Sequence, residues 1–214
     1  MSDQGVNPGV KPDFWDEASA HLMKRDRILK KLIPRHTSDW MLPPRAPFIS
    51  LARAVIGQQV SVKSADATWK RFTGKCCGEP TPAAVLKVSA EELREAGLSK
   101  RKAEYVHDLA THFLEERVRP SLWADKDDEA IVAELCAIRG VGRWTAQMFL
   151  IFSLQRPDVL PLDDIGLIKA ISLHYFSGEP VSRFEAREVA QAWAPWRTVA
   201  TWYLWRSLDA IAIR

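Results

Sequence analysis

Two features of this sequence place together residues that could do chemistry on a charged polymer. A Gly140-Val141-Gly142 turn lies between two apolar helical patterns, and the pair Asp163-Asp164 follows it in the chain. Glycine lets the backbone approach a ligand closely, and the N–H groups at the start of the next helix can bind an anion such as a phosphate. Carboxylates near that anion could stabilise positive charge or orient a water molecule. Together the two features predict an enzyme that processes DNA.

Each feature also has a simpler interpretation. A lone Gly-x-Gly is more often a plain turn between helices, and two aspartates before a helix are most simply N-caps. The longer string at 135–146, LCAIRGVGRWTA, favours an anion-binding hairpin. An apolar stripe at Ile165, Ile168 and Ile171 predicts a helix directly after the aspartates. Capping and catalysis are compatible there, because the helix dipole and N–H groups keep a carboxylate ionised.

The elements that must position these residues are helical almost throughout, so we expect an all-α protein. Residues 1–12 are polar and unperiodic and predict a disordered tail. A stripe of apolar residues at 48–72 predicts one long helical segment, although Gly57-Gln58-Gln59 interrupts it. The other predicted helices are 14–33, 82–88, 89–96, 100–117, 127–138, 143–154, 164–175, 183–192 and 196–212.

Composition limits the class of protein more than its function. The chain has 214 residues, 47% hydrophobic and 27% charged, enough for one domain or for two small lobes that share a cleft. A net charge of +3 is compatible with a nucleic-acid partner but too small to indicate one. The basic run at 100–102 is typical of a solvated helix face.

The cysteines argue against a metal cluster. Cys76, Cys77 and Cys136 show no C-x-x-C spacing, so we expect neither zinc nor an iron–sulfur cofactor. Reduced thiols, with no signal pattern and no membrane-spanning apolar run, predict a soluble protein of the bacterial cytoplasm or, in a eukaryote, the nucleus.

At this point the chain resembles a known family. The hairpin string and its continuation at 159–171, VLPLDDIGLIKAI, look like the helix–hairpin–helix and catalytic loop of the DNA glycosylase superfamily that includes endonuclease III. More narrowly, the segments at 56–72, 97–110 and 193–208 resemble the 3-methyladenine DNA glycosylase II family, in the family's order. The resemblance implies a two-lobed fold with the active site in the interlobe cleft. One lobe would combine 13–46 with 156–214, and the other would be a helical bundle at 47–155.

The resemblance also assigns a reaction centre. It implies that Asp164 is the catalytic carboxylate and that Asp163 caps or supports the loop. Trp144, Trp205 and Met148 fall at positions that line the pocket for a flipped base; some relatives have tyrosine where Met148 stands. Bifunctional relatives carry a lysine where this chain has Trp144, so no Schiff base and no lyase activity are expected.

The residues expected to contact DNA surround the hairpin and the interruption of the long helix. In the family, the position of Gln59 carries the wedge that fills the gap left by the flipped base. Relatives often hold a monovalent cation on hairpin carbonyls, which here would be those of Cys136, Ile138 and Val141. The predicted DNA-binding residues are Gln58, Gln59, Ser61, Arg139, Gly140, Val141, Gly142, Arg143 and Thr145.

The expected activity is hydrolysis of the N-glycosidic bond of alkylated purines, chiefly 3-methyladenine and 7-methylguanine, in damaged double-stranded DNA. The enzyme would be a monomer, without an organic cofactor and without membrane association. Two alternatives stay open: a glycosylase of the same superfamily for deaminated or etheno purines, and a non-catalytic helix–hairpin–helix module that binds DNA.

Overall fold

The computed structural model describes residues 11–36, 40–41 and 44–212, with side chains up to residue 208. Within these residues the regular structure is helical, apart from an isolated bridge at Met41, which confirms the all-α prediction. Of the disordered tail predicted for residues 1–12, residues 1–10 lie outside the part of the chain that the structure describes. No helix in the described ranges is long and apolar enough to cross a membrane. The α-helices are α1 (Trp15–Arg25), α2 (Leu29–Leu32), α3 (Pro47–Gly57), α4 (Val62–Lys75), α5 (Pro82–Lys87), α6 (Ala90–Glu95), α7 (Lys100–Leu114), α8 (Asp128–Cys136), α9 (Arg143–Phe152), α10 (Ile165–Tyr175), α11 (Arg183–Ala190) and α12 (Arg197–Ala212).

The chain divides into two compact units. The first comprises Met1–Pro44 and Leu150–Arg214, and the second is Arg45–Phe149. In the lobes predicted from the sequence, the corresponding boundaries lie between residues 46 and 47 and between residues 155 and 156.

The buried carboxylate of Asp26, at the end of α1, accepts hydrogen bonds from three segments of the first unit. Both oxygens of Asp26 are used: Oδ1 accepts the N–H groups of Ile28 and Leu29, and Oδ2 accepts the hydroxyl of Tyr175 and the indole N–H of Trp193. Because Asp26 itself has an extended backbone, the helix predicted at 14–33 is wrong as a single element and is replaced by α1 and α2.

The long segment predicted at 48–72 in the second unit is also two helices. Its apolar stripe is buried in α3 and at Phe72, but Val62 is 79% exposed and does not belong to the core. Between the helices, Gln59 adopts a positive φ of 56°, and the Ser61 hydroxyl caps the start of α4 by accepting the N–H of Ser64. A serine cap with extended backbone favours a new helix over continuation of the old one.

Helix α7, which packs in the second unit, begins as the sequence predicts. Gly97 has a φ of +98°, as expected of a glycine beyond a helix end. The Ser99 hydroxyl then accepts the N–H of Lys102. The apolar face of α7 is buried through residues that include Val106 and Leu109.

Candidate active site

Asp164 is the N-cap of α10. Its Oδ1 accepts the backbone N–H of Leu167 at 2.7 Å and the indole N–H of Trp205 at 2.8 Å. Two donors on one oxygen fix the carboxylate in one orientation. The carboxylate predicted to be catalytic is therefore preorganised by the first turn of α10 and by a side chain of α12.

Trp205 is not part of the core in the usual sense, because it is only partly buried. Its indole stacks on the ring of Phe152, with centroids 5.7 Å apart and planes 17° from parallel. One face of the indole is thus supported by Phe152 while its N–H is directed at Asp164. Stacking and hydrogen bonding together restrict the two torsions of this side chain.

Gly166 leaves the space in which this pair meets. A Cβ at this position would lie 3.1 Å from Oδ1 of Asp164 and 3.3 Å from two indole atoms of Trp205. These separations are shorter than ordinary carbon contacts, so any side chain here would have to displace the carboxylate or the indole.

For the neighbouring Asp163, the resemblance implies that it caps or supports the loop. Asp164, and not Asp163, caps α10, so the capping expected of Asp163 is wrong. Asp163 instead forms an ion pair of 2.7 Å with the exposed Arg183. The apolar stripe expected at Ile165 is wrong as well, since that residue is 84% exposed, while Leu167 and Ala170 are buried.

The loop that leads to Asp164 is tied to the first turn of α12. The guanidinium of Arg197 donates two hydrogen bonds of 2.6 Å to the carboxylate of Asp158. One residue further, the hydroxyl of Thr198 donates to the carbonyl of Arg156 at 2.6 Å and accepts the N–H of Val159 at 3.0 Å. Sequence reasoning missed these residues, because side-chain bonds to a loop remote in the chain leave no local pattern.

The hairpin that joins α8 to α9 (residues 139–142, called the hairpin below) has the glycine and apolar residues that the sequence predicts. Val141 is 4% exposed and buried, as expected. Gly140 has a φ of +84°, and a Cβ on it would lie 2.2 Å from the ring of Tyr105. Glycine is thus required at 140 by backbone conformation and by the close approach of a side chain.

Gly142 differs from Gly140. Its φ does not lie in the left-handed region, and a Cβ there would meet nothing within 4 Å. Gly142 therefore does not need the left-handed conformation, and it leaves open space over the start of α9. The first N–H groups of a helix have no acceptor within it, and they suit an anion.

Both arginines of the predicted DNA-binding set have acidic partners in the second unit. Arg139 pairs with Glu104 at 3.1 Å, and its backbone N–H donates to Asp108 at 2.8 Å. Arg143 donates to both oxygens of Glu129, and this hydrogen bonding lowers the pKa of the Glu129 carboxyl. Both pairs are well exposed, so exchange of their partners for phosphate would cost little free energy.

The two glutamines after α3 are placed differently. The side-chain amide of Gln58 donates to the carbonyl of Gly140 at 2.8 Å, so it supports the hairpin rather than projecting from it. Gln59 is exposed at the tip of the turn, in the left-handed conformation. Only Gln59 is thus placed to project outward, as a wedge would have to do.

The remaining predicted residues lie on α9. Thr145 is only 8% exposed, so its side chain is not available to DNA and only its backbone could contribute. Trp144 is 43% exposed on the same turn, and Met148 is half-buried one turn later. Large exposure of an indole is unusual for a core residue and consistent with a ligand-facing role.

The carbonyls of Cys136, Ile138 and Val141 lie at the end of α8 and in the hairpin. The carbonyl of Ile138 accepts the N–H of Val141 at 3.1 Å. A carbonyl oxygen has a second lone pair, so this hydrogen bond leaves the Ile138 carbonyl with a lone pair that can face a cation. In the described part of the chain, no group of three His, Cys, Asp or Glu side chains could hold a metal ion.

Helices joined by a glycine hairpin, and a capping carboxylate that follows them, define the class of helix–hairpin–helix DNA glycosylases. A sequence profile of the HhH-GPD superfamily of base excision DNA repair proteins matches residues 52–195. This match spans more than half of the chain, and the chain belongs to that superfamily.

Individual proteins similar to this chain are named more narrowly, as 3-methyladenine DNA glycosylases or glycosidases. DNA-3-methyladenine glycosylase 1 of Schizosaccharomyces pombe is 32% identical over 198 residues, which cover 89% of this chain and 86% of that protein. The crystal structure of a DNA-3-methyladenine glycosidase from Bacillus halodurans superposes with a TM-score of 0.84 at 34% identity, covering 92% of this chain and 91% of that one. The S. pombe enzyme in complex with abasic DNA superposes with a TM-score of 0.77 at 30% identity, covering 90% and 97%. The resemblance inferred from the sequence is confirmed.

Proposed function

We propose that this protein is a monofunctional DNA glycosylase that hydrolyses the N-glycosidic bond of alkylated purines, such as 3-methyladenine and 7-methylguanine, in duplex DNA. The observation that carries the proposal is the fixed Asp164 carboxylate, bonded to the indole of Trp205. The names of the similar glycosylases from S. pombe and B. halodurans support the choice of substrate.

In the proposed reaction, the Asp164 carboxylate stabilises positive charge on the sugar and accepts a proton from water. As the bond between C1′ and the purine nitrogen lengthens, positive charge develops on the deoxyribose ring. The nearby carboxylate stabilises that charge and accepts a proton from the water that attacks C1′. The bonding electrons leave with the purine, and a cationic alkylated base departs as a neutral molecule. The products are a free base and an abasic site.

Selectivity for alkylated bases would come from aromatic faces. An indole attracts a cationic purine more strongly than a neutral one, by about 0.5–2 kcal/mol. Trp205 offers such a face, supported from behind by Phe152. The family resemblance assigns the same role to Trp144, with Met148 as a further pocket residue.

DNA would be held by its backbone at the hairpin. The open space at Gly142 allows a phosphate to approach the N–H groups at the start of α9. A monovalent cation on the carbonyls of Cys136, Ile138 and Val141 would add positive charge beside that phosphate. We propose that the protein acts as a monomer on damaged duplex DNA, in the cytoplasm of a bacterium or the nucleus of a eukaryote, and needs no organic or iron–sulfur cofactor.

The proposal is tested with duplex DNA that carries one 7-methylguanine. The wild-type protein should release the free base without cutting the strand, and Asp164→Asn should bind the DNA but excise the base at least about 100-fold more slowly. The matched variant Asp163→Asn removes only an exposed ion pair, so its rate should stay within about fivefold of wild type.

Each other outcome has a distinct meaning. Equal rates for wild type and Asp164→Asn would contradict the catalytic assignment. Release of deaminated or etheno purines in preference to 7-methylguanine would replace the proposed substrate within the same superfamily. Strand cleavage at neutral pH, with borohydride trapping of the protein on DNA, would overturn the monofunctional assignment. Binding without release of any base would leave a non-catalytic DNA-binding module.

A further inference from the structure

A lysine of α7 points inward in the second unit. Nζ of Lys102 donates to the carbonyls of Ile56 and Gln58, both at 2.7 Å. Lys102 is part-buried, and this burial lowers the pKa of its ammonium group. The interpretation of the basic run 100–102 as a solvated face is therefore wrong for Lys102, while Lys100 is exposed as expected.

The carbonyls that Lys102 binds lie where α3 ends. The last carbonyls of a helix have no partner within it, and the negative end of the helix dipole favours a cation. The ammonium of Lys102 therefore serves as a cap for α3. Because one of its acceptors is the carbonyl of Gln58, the same ammonium also fixes the backbone directly before Gln59.

The backbone of Gln59 has an unfavourable conformation that contacts around it must hold in place. Its φ of 56° costs an L-residue about 1–2 kcal/mol, and such conformations persist only where the surroundings determine them. Lys102 holds the backbone on one side of Gln59, and the capping hydroxyl of Ser61 starts α4 on the other. Val60, between them, is 44% exposed, so the tip of the turn packs little against the protein.

The same helix also holds the hairpin. The ring of Tyr105, three residues after Lys102, lies against Gly140. Asp108, three residues further, accepts the backbone N–H of Arg139. Residues three apart on a helix are neighbours on its surface, so these contacts follow one another along α7. The Gln58 side chain completes the connection by donating to the carbonyl of Gly140.

We propose that Lys102 is a positioning residue that presents Gln59 to the DNA, and that α7 keeps this turn and the phosphate-binding hairpin in one fixed register. This inference rests on the proposed function. With the hairpin on a phosphate, the fixed register directs Gln59 at a defined nucleotide, where it fills the gap left by the flipped base. Two of the three N–H groups of the Lys102 ammonium donate to backbone carbonyls, so the role proposed for it is to hold the turn and not to bind the DNA.

The test compares Lys102→Met with Lys100→Met, which removes an exposed lysine at the start of the same helix. The first measurement is hydrogen exchange at the backbone N–H of Gln58, which donates to the carbonyl of Val55, in the DNA-free protein. Exchange there should rise in Lys102→Met and stay at the wild-type level in Lys100→Met. Unchanged protection in Lys102→Met would overturn the proposal whatever the enzyme does to DNA.

The second measurement is single-turnover excision of 7-methylguanine from two duplexes. In one, the lesion is paired with cytosine; in the other, it is a single-nucleotide bulge, which leaves no gap when it leaves the helix. Loss of charge-assisted hydrogen bonds should slow excision from the paired duplex by about tenfold or more in Lys102→Met. The rate on the bulge should stay near that of wild type, and Lys102→Arg should recover most of the paired-duplex rate.

The outcomes separate the inference from the proposed function. Equal losses on both duplexes, or no loss on either, would overturn the positioning role. Weaker binding of undamaged DNA with a smaller salt dependence would show that Lys102 contacts phosphate, and would overturn it too. If the wild-type protein releases no base from either duplex, the proposed function fails, and hydrogen exchange alone decides the role of Lys102. Lys102→Gln replaces the methionine variant if that variant does not fold, with the same outcomes.

Discussion

The indole Nε1 of Trp205 lies 2.8 Å from Oδ1 of Asp164 and donates a hydrogen bond to it. Trp205, whose indole is proposed to face the base, therefore also donates a hydrogen bond to the carboxylate that is proposed to stabilise positive charge on the sugar. A change at either residue is expected to alter the other, so recognition and chemistry are coupled within the first unit.

Trp205→Phe tests this coupling, because phenylalanine keeps an aromatic ring for stacking on Phe152 but lacks the N–H. Loss of a hydrogen bond to a charged group is worth about 1.5–3 kcal/mol, so single-turnover excision should fall by about 10- to 100-fold. Trp196→Phe, at a half-buried indole that stacks on Phe14, is the matched control and should retain the wild-type rate. Equal rates for all three proteins would show that the hydrogen bond is not used.

Gly166→Ala should separate activity from stability. The added methyl group would stand 3.1 Å from Asp164 and 3.3 Å from Trp205, so we expect the carboxylate or the indole to shift and excision to slow by about tenfold or more. Alanine favours a helix over glycine by up to about 1 kcal/mol, so the melting temperature should not fall. Gly74→Ala, also within a helix and where a Cβ meets nothing within 4 Å, should leave excision unchanged, and its melting temperature should not fall either. A fall in melting temperature with unchanged excision for Gly166→Ala would contradict this account.

The two hairpin glycines should respond differently to alanine. Gly140→Ala combines a positive φ with a Cβ 2.2 Å from Tyr105, and should lower the free energy of unfolding by about 3 kcal/mol. Gly142→Ala has open space and should leave the unfolding free energy near that of wild type. It should nevertheless weaken DNA binding, because the methyl group would stand where a phosphate approaches. Urea unfolding and fluorescence anisotropy with labelled duplex measure the two effects.

His174 predicts how stability depends on pH. Burial lowers the pKa of its imidazole below 6.5, and Arg35 lowers it further. The unfolded chain therefore binds this proton at a higher pH than the folded protein does, so stability falls as the pH drops from 6.5 through the lowered pKa. His174→Gln, which can still bond the hydroxyl of Ser207, should flatten the stability curve in that window. Urea unfolding at a series of pH values measures the curve, and an unchanged slope would assign the pH dependence to other groups.

The local features of the site could be predicted from the sequence. Glycine at 140, burial of Val141 and a capping aspartate before α10 all follow from turn and cap chemistry that involves neighbours in the chain. The choice between the two aspartates as the cap could not be made from local pattern. The apolar stripe predicted for this helix holds at Ile171, which is buried, but fails at Ile165, which is exposed.

Contacts between distant segments were beyond prediction for a physical reason. Lys102 binds carbonyls 44 and 46 residues earlier in the chain, and Asp158 binds Arg197 39 residues later. A lysine in a basic run has the same local sequence whether it is solvated or caps another helix. The difference lies in tertiary packing, which periodicity does not report.

Helix α12 both holds the loop before Asp164 in place and carries Trp205, so a change of one of these functions can disturb the other. Its first turn holds the loop before Asp164 through Arg197 and Thr198, and its later turns carry Trp205. A library that randomises this helix to accept a new base would therefore be dominated by inactive clones whose carboxylate has moved. Because the proposed pocket also includes Trp144 and Met148 on α9, diversity introduced there, with α12 held constant, is the better starting point for redirecting the proposed activity to another lesion.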